Sequence, residues 1–432
     1  MKKNLLNIGA FALGTGAQAA LGFVSVPLLV RLLGVAEIGR WSVIEAMFQL
    51  GAQIALLGFN STLIKYISGD GMAPWPTLAR VARALIPSVL AAALIVAVCA
   101  YTIIGLSPGA SVTVSVVLCL ECWLVLAFAT ARAGPMPLVF SSALILRASA
   151  ILSSLALVVY VQPALVTRAG DVPAIWIVVY CVVGLVLGSL IQAKSPAGGT
   201  PDRQALRQGL KYGFPLLLTI VLAQILQTTD RFFVSGMFGF DDAGVYFLHA
   251  KIANALAFAA LPIQLWWPVA RFEHLKDRDS GAHFFSRASV WGMAFFGVAA
   301  VVLATVAPYL FRWFAPSSEF RAVLFLALLV SAYFQSSAIF FNIGLLQEGA
   351  THLNVIAWVA AAVAQISTQL FLLGSIGVIG AAIGLAVGSI SAVVFQYLFS
   401  QRICPVRYPV AILAAILVAS FSASLIAVGV VQ

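Results

Sequence analysis

The chain has 432 residues, of which 62% are hydrophobic and 9% charged, and its mean hydropathy is +1.06. A soluble domain carries roughly a quarter charged residues, so this composition excludes a soluble globular protein and indicates an integral membrane protein. The formal net charge of +10 does not indicate a nucleic-acid partner, because the cations are spread over many loops and form no basic face.

Long apolar runs divide the chain into predicted transmembrane helices. Each run reaches the roughly 20 residues that an α-helix needs to cross about 30 Å of hydrocarbon. Strands are excluded because a lipid-facing strand cannot satisfy its own backbone hydrogen bonds. The pattern predicts an all-α polytopic membrane protein of about 12–14 transmembrane helices, with spans near 5–33, 41–66, 79–105, 110–131, 137–161, 173–193, 211–237, 243–268, 284–311, 321–346, 352–373, 377–399 and 408–431.

A polar stretch, "AKSPAGGTPDRQALRQGLK", separates two blocks of six predicted spans. We therefore predict an N-terminal six-helix lobe over 1–195, a cytoplasmic linker over 196–210, a C-terminal six-helix lobe over 211–400, and an additional helix over 401–432. The start of the chain has the outline of a cleavable signal peptide, but its apolar run continues to Leu33, which favours a retained first helix.

Lysine and arginine residues orient the predicted helices. If the N-terminus is cytoplasmic, most cations fall at the cytoplasmic ends of the spans, and the outer ends carry only Arg31, Arg40, Arg168, Arg312 and Arg321. Cytoplasmic loops of membrane proteins are enriched in positive charge. The asymmetry therefore predicts a cytoplasmic N-terminus, and it explains most of the net charge.

An internal repeat joins the first helix of each block to its second. The segments "LLGVAEIGRW" (32–41) and "MFGFDDAGVY" (237–246) match with a shift of 205 residues, so that two glycines, an acidic residue and an aromatic residue recur. This pattern suits a tight turn that caps the next helix, with an interfacial aromatic residue just inside it. Because each block has an even number of helices, we expect the lobes to be related by a pseudo-two-fold axis along the membrane normal.

Three segments carry a resemblance to a known family: "VPLLVRLLGVAEIGRWSVIEA", "KYGFPLLLTIVLAQILQTTDRFFVSGMFGFDDAGVYFLHAKIANA" and "LLGSIGVIGAAIGLAVG". They resemble Wzx-like polysaccharide and O-antigen flippases, in the polysaccharide transport family of the multidrug/oligosaccharidyl-lipid/polysaccharide (MOP) superfamily. The resemblance runs over essentially the whole chain. Its most specific parts are the turn from Arg31 to Gly39 and the segment from Asp230 to Tyr246.

The resemblance implies a two-lobed bundle that moves an undecaprenyl-diphosphate-linked oligosaccharide from the inner to the outer leaflet by alternating access. The expected location is the bacterial inner membrane, and the expected partners are membrane lipids, H⁺ or Na⁺, and other polysaccharide assembly proteins. It implies no cofactor and no enzymatic activity. The thirteen predicted helices depart from the 12 or 14 that are typical of such proteins.

Charged residues inside the predicted spans are the candidate site. Arg231 and Lys251 lie about ten residues on either side of a loop centred near 241, hence about 10 Å or more below the outer surface, with Asp230 and His249 beside them. Glu45 enters the second span of the other half at a comparable depth.

Glu121 and Arg147 are each about thirteen residues from the loop near 134, which places both close to the membrane midplane on neighbouring helices.

Two hypotheses compete for these charges. In the first, Arg147, Arg231 and Lys251 face a water-filled cavity and bind the diphosphate of a lipid carrier, because a desolvated phosphate needs cationic donors. In the second, the charges are structural ion pairs, which are the usual way in which membranes tolerate charge. The candidates for binding a coupling ion or for charge pairing are Glu45, Glu121, Asp230 and His249. Of these, His249 is either a titrating group or a packing residue.

Other functions have sequence signatures of their own. The chain has no P-loop, no His-Glu-x-x-His metal site and no nucleophile elbow, which argues against an enzyme. A polytopic glycan polymerase is expected to have a long charged outer loop, and the loops here are short. A drug/cation antiporter of the same superfamily would favour carboxylates in its cavity, and a membrane scaffold would not need the buried cations.

Overall fold

The computed structural model describes residues 2–134, 136–196, 198–274, 278–346 and 351–431. These residues form fourteen α-helices joined by short turns, and they contain no strand. The helices are α1 (Lys2–Leu33), α2 (Val35–Ala55), α3 (Phe59–Ile64), α4 (Pro74–Thr102), α5 (Pro108–Ala133), α6 (Pro137–Val161), α7 (Val172–Lys194), α8 (Arg203–Asn254), α9 (Leu256–His274), α10 (Arg278–Phe314), α11 (Ala322–Ser337), α12 (Thr351–Ile376), α13 (Val378–Ile403) and α14 (Val410–Val431).

Eleven of the described helices are long and apolar enough to cross a membrane, or twelve if α2 and α3 form one bent span. One of the eleven is α8, whose 52 residues hold the predicted span near 211–237 and the start of the next one. The end of α8 continues into α9, and together they cover the predicted span near 243–268. The all-α polytopic fold predicted from the sequence is therefore confirmed.

The second predicted span is broken in its middle. α2 ends at Ala55, and Leu57 and Gly58 follow with φ of 48° and 79° before α3 begins. A π-helix, Lys65–Gly69, continues α3. The bend between α2 and the segment Phe59–Gly69 is 58°. Glycine permits the left-handed conformation at Gly58. The sequence does not reveal this break, because the apolar pattern is continuous across it.

Gly58 also brings two helix backbones together. A Cβ on Gly58 would lie 2.2 Å from the carbonyl oxygen of Gly213, so only glycine fits there. Beside this contact the Thr62 hydroxyl donates to the Gly209 carbonyl at 3.1 Å, and the Tyr66 hydroxyl donates to the Ala205 carbonyl. Small residues let membrane helices approach closely, and α3 thereby packs against the beginning of α8.

The beginning of α8 lies in the stretch that was predicted to be a linker. Asp202 precedes the helix, and its carboxylate accepts a hydrogen bond from the Ala205 N–H at 2.6 Å. This N-terminal cap starts the helix at Arg203, so residues 203–210 of the predicted linker are helical.

Gly239 divides α8 into a first arm (203–238) and a second arm (240–254). Its φ of 84° and ψ of 179° are non-helical, and the helix kinks at this residue. Gly34, between α1 and α2, has nearly the same conformation, with φ of 77° and ψ of 170°. The glycine turn predicted from the repeat therefore exists in both halves of the chain.

The helices gather into two compact units, Met1–Gln224 and Ile225–Gln432. In the first unit, α1 packs mainly on α6, and α5 packs on α4 and α7. In the second unit, α13 packs on α12 and α11, and α14 packs on α10. Two glycines of α13 fit against α12, because a Cβ on Gly384 would lie 2.3 Å from the Gln369 side chain and one on Gly388 2.7 Å from Gln365.

Candidate functional site

The first cluster of polar side chains lies in the first unit, where three helices each contribute one residue. Arg147 on α6 places its Nη2 atom 2.6 Å from Oε2 of Glu121 on α5. The same nitrogen lies 2.7 Å from the hydroxyl of Tyr180 on α7, and the guanidinium lies 4.6 Å from the centre of the Tyr180 ring. Glu121 and Arg147, which were predicted at equal depth, therefore meet in an ion pair.

Aromatic rings connect this cluster to the turn at Gly34. Tyr180 stacks on Trp176 with ring centres 6.0 Å apart, and Trp176 meets the edge of Trp41 at 4.8 Å. Trp41, the aromatic residue of the first repeated turn, is only 2% exposed and packs against Trp176. Sequence reasoning missed Trp176 and Tyr180, although their spacing of four residues on α7 places them on one helix face.

The second cluster lies in the second unit, where the two arms of α8 meet. Asp230 on the first arm is 2% exposed, and its Oδ2 atom accepts a hydrogen bond from the Tyr246 hydroxyl on the second arm. Its other oxygen accepts from the Arg231 N–H at 3.0 Å. Tyr246, the aromatic residue of the second repeated turn, is fully buried, and its hydroxyl is bound to this carboxylate.

Phe247 brings the two cations of the second cluster to one ring. The Arg231 guanidinium lies 5.2 Å from the Phe247 ring centre, and the Lys251 ammonium lies 4.9 Å from it. Phe247 itself is 2% exposed. A ring quadrupole attracts cations at such distances, more strongly where water is excluded. The Phe247 ring therefore contacts both a guanidinium and an ammonium.

His249 forms a separate contact set on the same arm. Its Nδ1 atom lies 2.7 Å from the Val245 carbonyl oxygen, and its Nε2 accepts the Arg321 N–H at 2.9 Å. The imidazole also stacks near Phe311 and Phe320. This pattern is that of a neutral ring with the proton on Nδ1, and it caps the start of α11.

The acidic residues of the repeated turns anchor later parts of each unit. The Glu37 carboxylate accepts the Ala169 N–H at 2.7 Å, three residues before α7 begins. Asp242, its counterpart in the repeat, pairs with the Arg321 side chain at 3.0 Å, immediately before α11. Both turns are thereby fixed to the beginning of another helix.

Glu45 is half-buried on α2 in the first unit. Among the residues that the structure describes, no group of three His, Cys, Asp or Glu side chains could hold a metal ion. The two clusters differ in chemistry: in the first, Arg147 pairs with Glu121, whereas in the second Arg231 and Lys251 lie against the Phe247 ring and Asp230 accepts a hydrogen bond from the Tyr246 hydroxyl.

Comparison with solved structures identifies the fold. The lipid II flippase MurJ in an inward closed conformation superposes with a TM-score of 0.68, at 16% identity, over 95% of this chain and 90% of MurJ. A mutant of the Vibrio cholerae MATE transporter VcmN gives 0.66 at 14% identity, over 93% and 96% of the two chains. An inward-facing multidrug resistance MATE transporter of the MOP superfamily gives 0.65 at 14%, over 95% and 96%. The chain has the fold of MOP-superfamily transporters.

Sequence comparison gives the family. The model of the polysaccharide biosynthesis protein family matches residues 5–269, which include both glycine turns and both clusters. The chain belongs to the polysaccharide biosynthesis protein family. The resemblance to Wzx-like polysaccharide exporters that the sequence predicts is thereby confirmed. A comparison with curated proteins finds no match.

Proposed function

We propose that this protein is a flippase for a lipid-linked oligosaccharide. The substrate would be an oligosaccharide on undecaprenyl diphosphate, moved from the inner to the outer leaflet of a bacterial inner membrane by alternating access, for surface polysaccharides such as O-antigen. The observation that carries the proposal is the family match over residues 5–269, together with the MOP fold. The solved flippase among the structural neighbours acts on another lipid-linked precursor, lipid II.

The second cluster supplies the chemistry for the diphosphate. Arg231 and Lys251 both lie against the Phe247 ring, and Asp230 accepts a hydrogen bond from the Tyr246 hydroxyl. A guanidinium and an ammonium can donate several charge-assisted hydrogen bonds to phosphate oxygens. We therefore assign Arg231 and Lys251 to binding of the diphosphate, with Phe247 as the residue that positions them.

Arg147 contributes a third cation in the proposal, but its environment differs. Its guanidinium is already neutralised by Glu121 and hydrogen-bonded by Tyr180. Such a pair stabilises the packing of α5, α6 and α7 whether or not substrate is present. We propose that Arg147 adds to the positive potential only in states of the cycle in which the Glu121 contact loosens.

Coupling to H⁺ or Na⁺ would need a carboxylate that changes partners during transport. Asp230 is the candidate that we favour, because it is buried, joins the two arms of α8, and lies next to Arg231. Loss or gain of its charge would alter the hydrogen bond to Tyr246 and hence the contact between the arms. Glu45 and Glu121 are the remaining carboxylate candidates.

Surface glycan display in a flippase-null host tests the proposal. We expect wild type to restore display, and Arg231→Ala or Lys251→Ala to lower it roughly tenfold or more, since a charge-assisted hydrogen bond contributes about 1.5–3 kcal/mol. Arg207→Ala and Lys211→Ala are matched controls, because both residues are exposed on α8 and lie outside the cluster. Membrane levels of every variant are compared by immunoblot.

Three results would contradict the proposal. If Arg231→Ala and Lys251→Ala restore display as well as wild type does, the cations are structural. If wild type fails to restore display and instead confers resistance to cationic drugs, the protein is an antiporter. If display depends on the presence of the chain but on none of its buried charges, the protein acts as a scaffold for other assembly proteins.

A further inference from the structure

One face of α10 carries large exposed side chains over its whole length. His283, Arg287, Trp291 and Phe295 follow one another at intervals of four residues, and all four are exposed. The face continues through Val298, Val302 and Tyr309, which are also exposed. In a membrane protein such a face meets lipid.

Aromatic residues fix the depth of this face in the membrane. Trp291 is 72% exposed and Tyr309 59% exposed. They lie eighteen residues apart, about 27 Å along the helix, which is close to the thickness of the hydrocarbon layer of about 30 Å. Tryptophan and tyrosine concentrate at the two membrane interfaces. Trp291 therefore marks one interface, and Arg287, about 6 Å further out, lies at the level of lipid phosphates.

A cavity opens beside this end of the helix. It has a volume of about 610 Å³ and lies between α9, α10 and the turn Ala338–Phe340, within the second unit. Its lining includes Ile263, Phe284 and Phe340 in addition to the four residues of the face. Gly292 gives the cavity part of its depth, because a Cβ there would lie 2.1 Å from the Phe340 ring. We call it the α9–α10 cavity.

The cavity combines a basic rim with an aromatic wall. His283 and Arg287 occupy the end that the cation asymmetry assigns to the cytoplasmic side, and Trp291, Phe295 and Phe340 line the part below it. This order of charge and apolar surface is complementary to a lipid whose phosphate lies above its acyl chain. Basic pockets between transmembrane helices on the cytoplasmic side bind anionic lipid headgroups.

We propose that the α9–α10 cavity binds a glycerophospholipid with an anionic headgroup from the cytoplasmic leaflet. Arg287 and His283 bind its phosphate, and Trp291 and Phe295 contact the upper part of one acyl chain. This lipid is distinct from the transported substrate. The site would stabilise the hairpin of α9 and α10, in which His274 stacks on Phe284 at 3.8 Å.

Native mass spectrometry of the full chain in detergent tests the site, with phosphatidylglycerol as the anionic probe and phosphatidylcholine of the same acyl composition as the neutral control. We expect wild type to bind the first phosphatidylglycerol about fivefold more tightly than phosphatidylcholine. This is the affinity ratio expected when roughly one basic residue attracts an anionic headgroup. Arg287→Gln should abolish this preference. Arg312→Gln is the matched control, because Arg312 is exposed at the other end of α10, outside the cavity.

A second variant tests the acyl chain. Trp291→Ala should weaken the binding of both lipids by a similar factor and leave the preference for phosphatidylglycerol in place. The proposal is overturned if wild type shows no preference, if Arg287→Gln keeps it, if Arg312→Gln loses it equally, or if Trp291→Ala binds both lipids as wild type does. The three substituted residues, Arg287, Trp291 and Arg312, are exposed, so the variants are expected to fold.

Discussion

Gly34 and Gly239 lie 205 residues apart and have nearly the same backbone conformation, with φ near +80° and ψ near 180°. This region of φ and ψ is essentially restricted to glycine, and a non-glycine residue there costs about 1–3 kcal/mol. A Cβ at either position would meet no atom within 4 Å, so any effect of substitution comes from the backbone alone. The repeat thus conserves a turn geometry between the two halves of the chain.

We expect Gly239→Ala to lower the midpoint of thermal unfolding in detergent, because alanine strains the turn between the arms of α8. Gly236→Ala is the matched control. Gly236 lies within the first arm, a Cβ there also meets open space, and alanine favours helix by about 1 kcal/mol over glycine. Equal midpoints for the two variants would show that the turn tolerates a side chain.

The sequence was sufficient to predict most of the fold because membrane helices have a strong signal. Apolar runs placed the spans, and the glycines around 374–377 separated α12 from α13, where Gly377 has a φ of 64°. The break at Leu57 and Gly58 could not be predicted, since the apolar pattern runs through it. A break depends on tertiary contacts, here the close approach of Gly58 to Gly213, which local composition does not encode.

The candidate site was predictable in part. Counting residues from a loop gives the depth of a side chain in the membrane. This depth was enough to predict that Glu121 and Arg147 lie at the same level, where the structure shows an ion pair. Helical phase was not known well enough to find Tyr180 or to place Phe247 between two cations. His249 was ambiguous because the residue that explains it, Arg321, is 72 positions away in the chain.

The ion pair between Glu121 and Arg147 allows packing and transport to be separated. We expect Arg147→Met alone to be strongly destabilising, by about 3–5 kcal/mol, because it leaves a carboxylate unpaired inside the membrane. Arg147→Met combined with Glu121→Gln should recover most of that stability, since no net charge remains buried. The thermal midpoints of wild type, both single variants and the double variant form the cycle.

Glycan display by the stable double variant then decides the role of Arg147. Display equal to wild type would show that the pair serves only packing. A stable double variant that fails to display glycan would show that the guanidinium acts on substrate. Tyr180→Phe provides a smaller perturbation, for which we expect about 1 kcal/mol from the lost hydrogen bond.

His249 is expected to act as a structural cap and not as a proton carrier. The Nε2 atom of His249 accepts a hydrogen bond from the Arg321 N–H. A protonated Nε2 would be a donor and could not accept this bond, so the contact favours the neutral ring. His249→Ala should therefore lower stability by about 1–3 kcal/mol, the cost of an unsatisfied buried group. His352→Ala, at an exposed position on α12, is the control and should have no effect.

The pH dependence of display distinguishes the two roles of His249. We expect His249→Gln to retain both display and its pH profile, because a glutamine oxygen can accept the Arg321 N–H in place of Nε2. A profile that flattens in His249→Gln, while the variant remains folded and present in the membrane, would instead identify His249 as a titrating group of the transport cycle.

Phe247 is expected to position Arg231 and Lys251 through its ring. Phe247→Leu preserves most of the buried volume, so its packing cost should stay below about 1.5 kcal/mol, but it removes two cation–π contacts of about 0.5–2 kcal/mol each. We therefore expect display to fall severalfold with little loss of protein. Phe325→Leu is the matched control, because Phe325 is equally buried and packs on Phe320. If both variants lower display to the same extent, general packing explains the effect. If only Phe247→Leu does so at equal thermal stability, the ring acts through the cations, and the pair operates as one phosphate-binding unit.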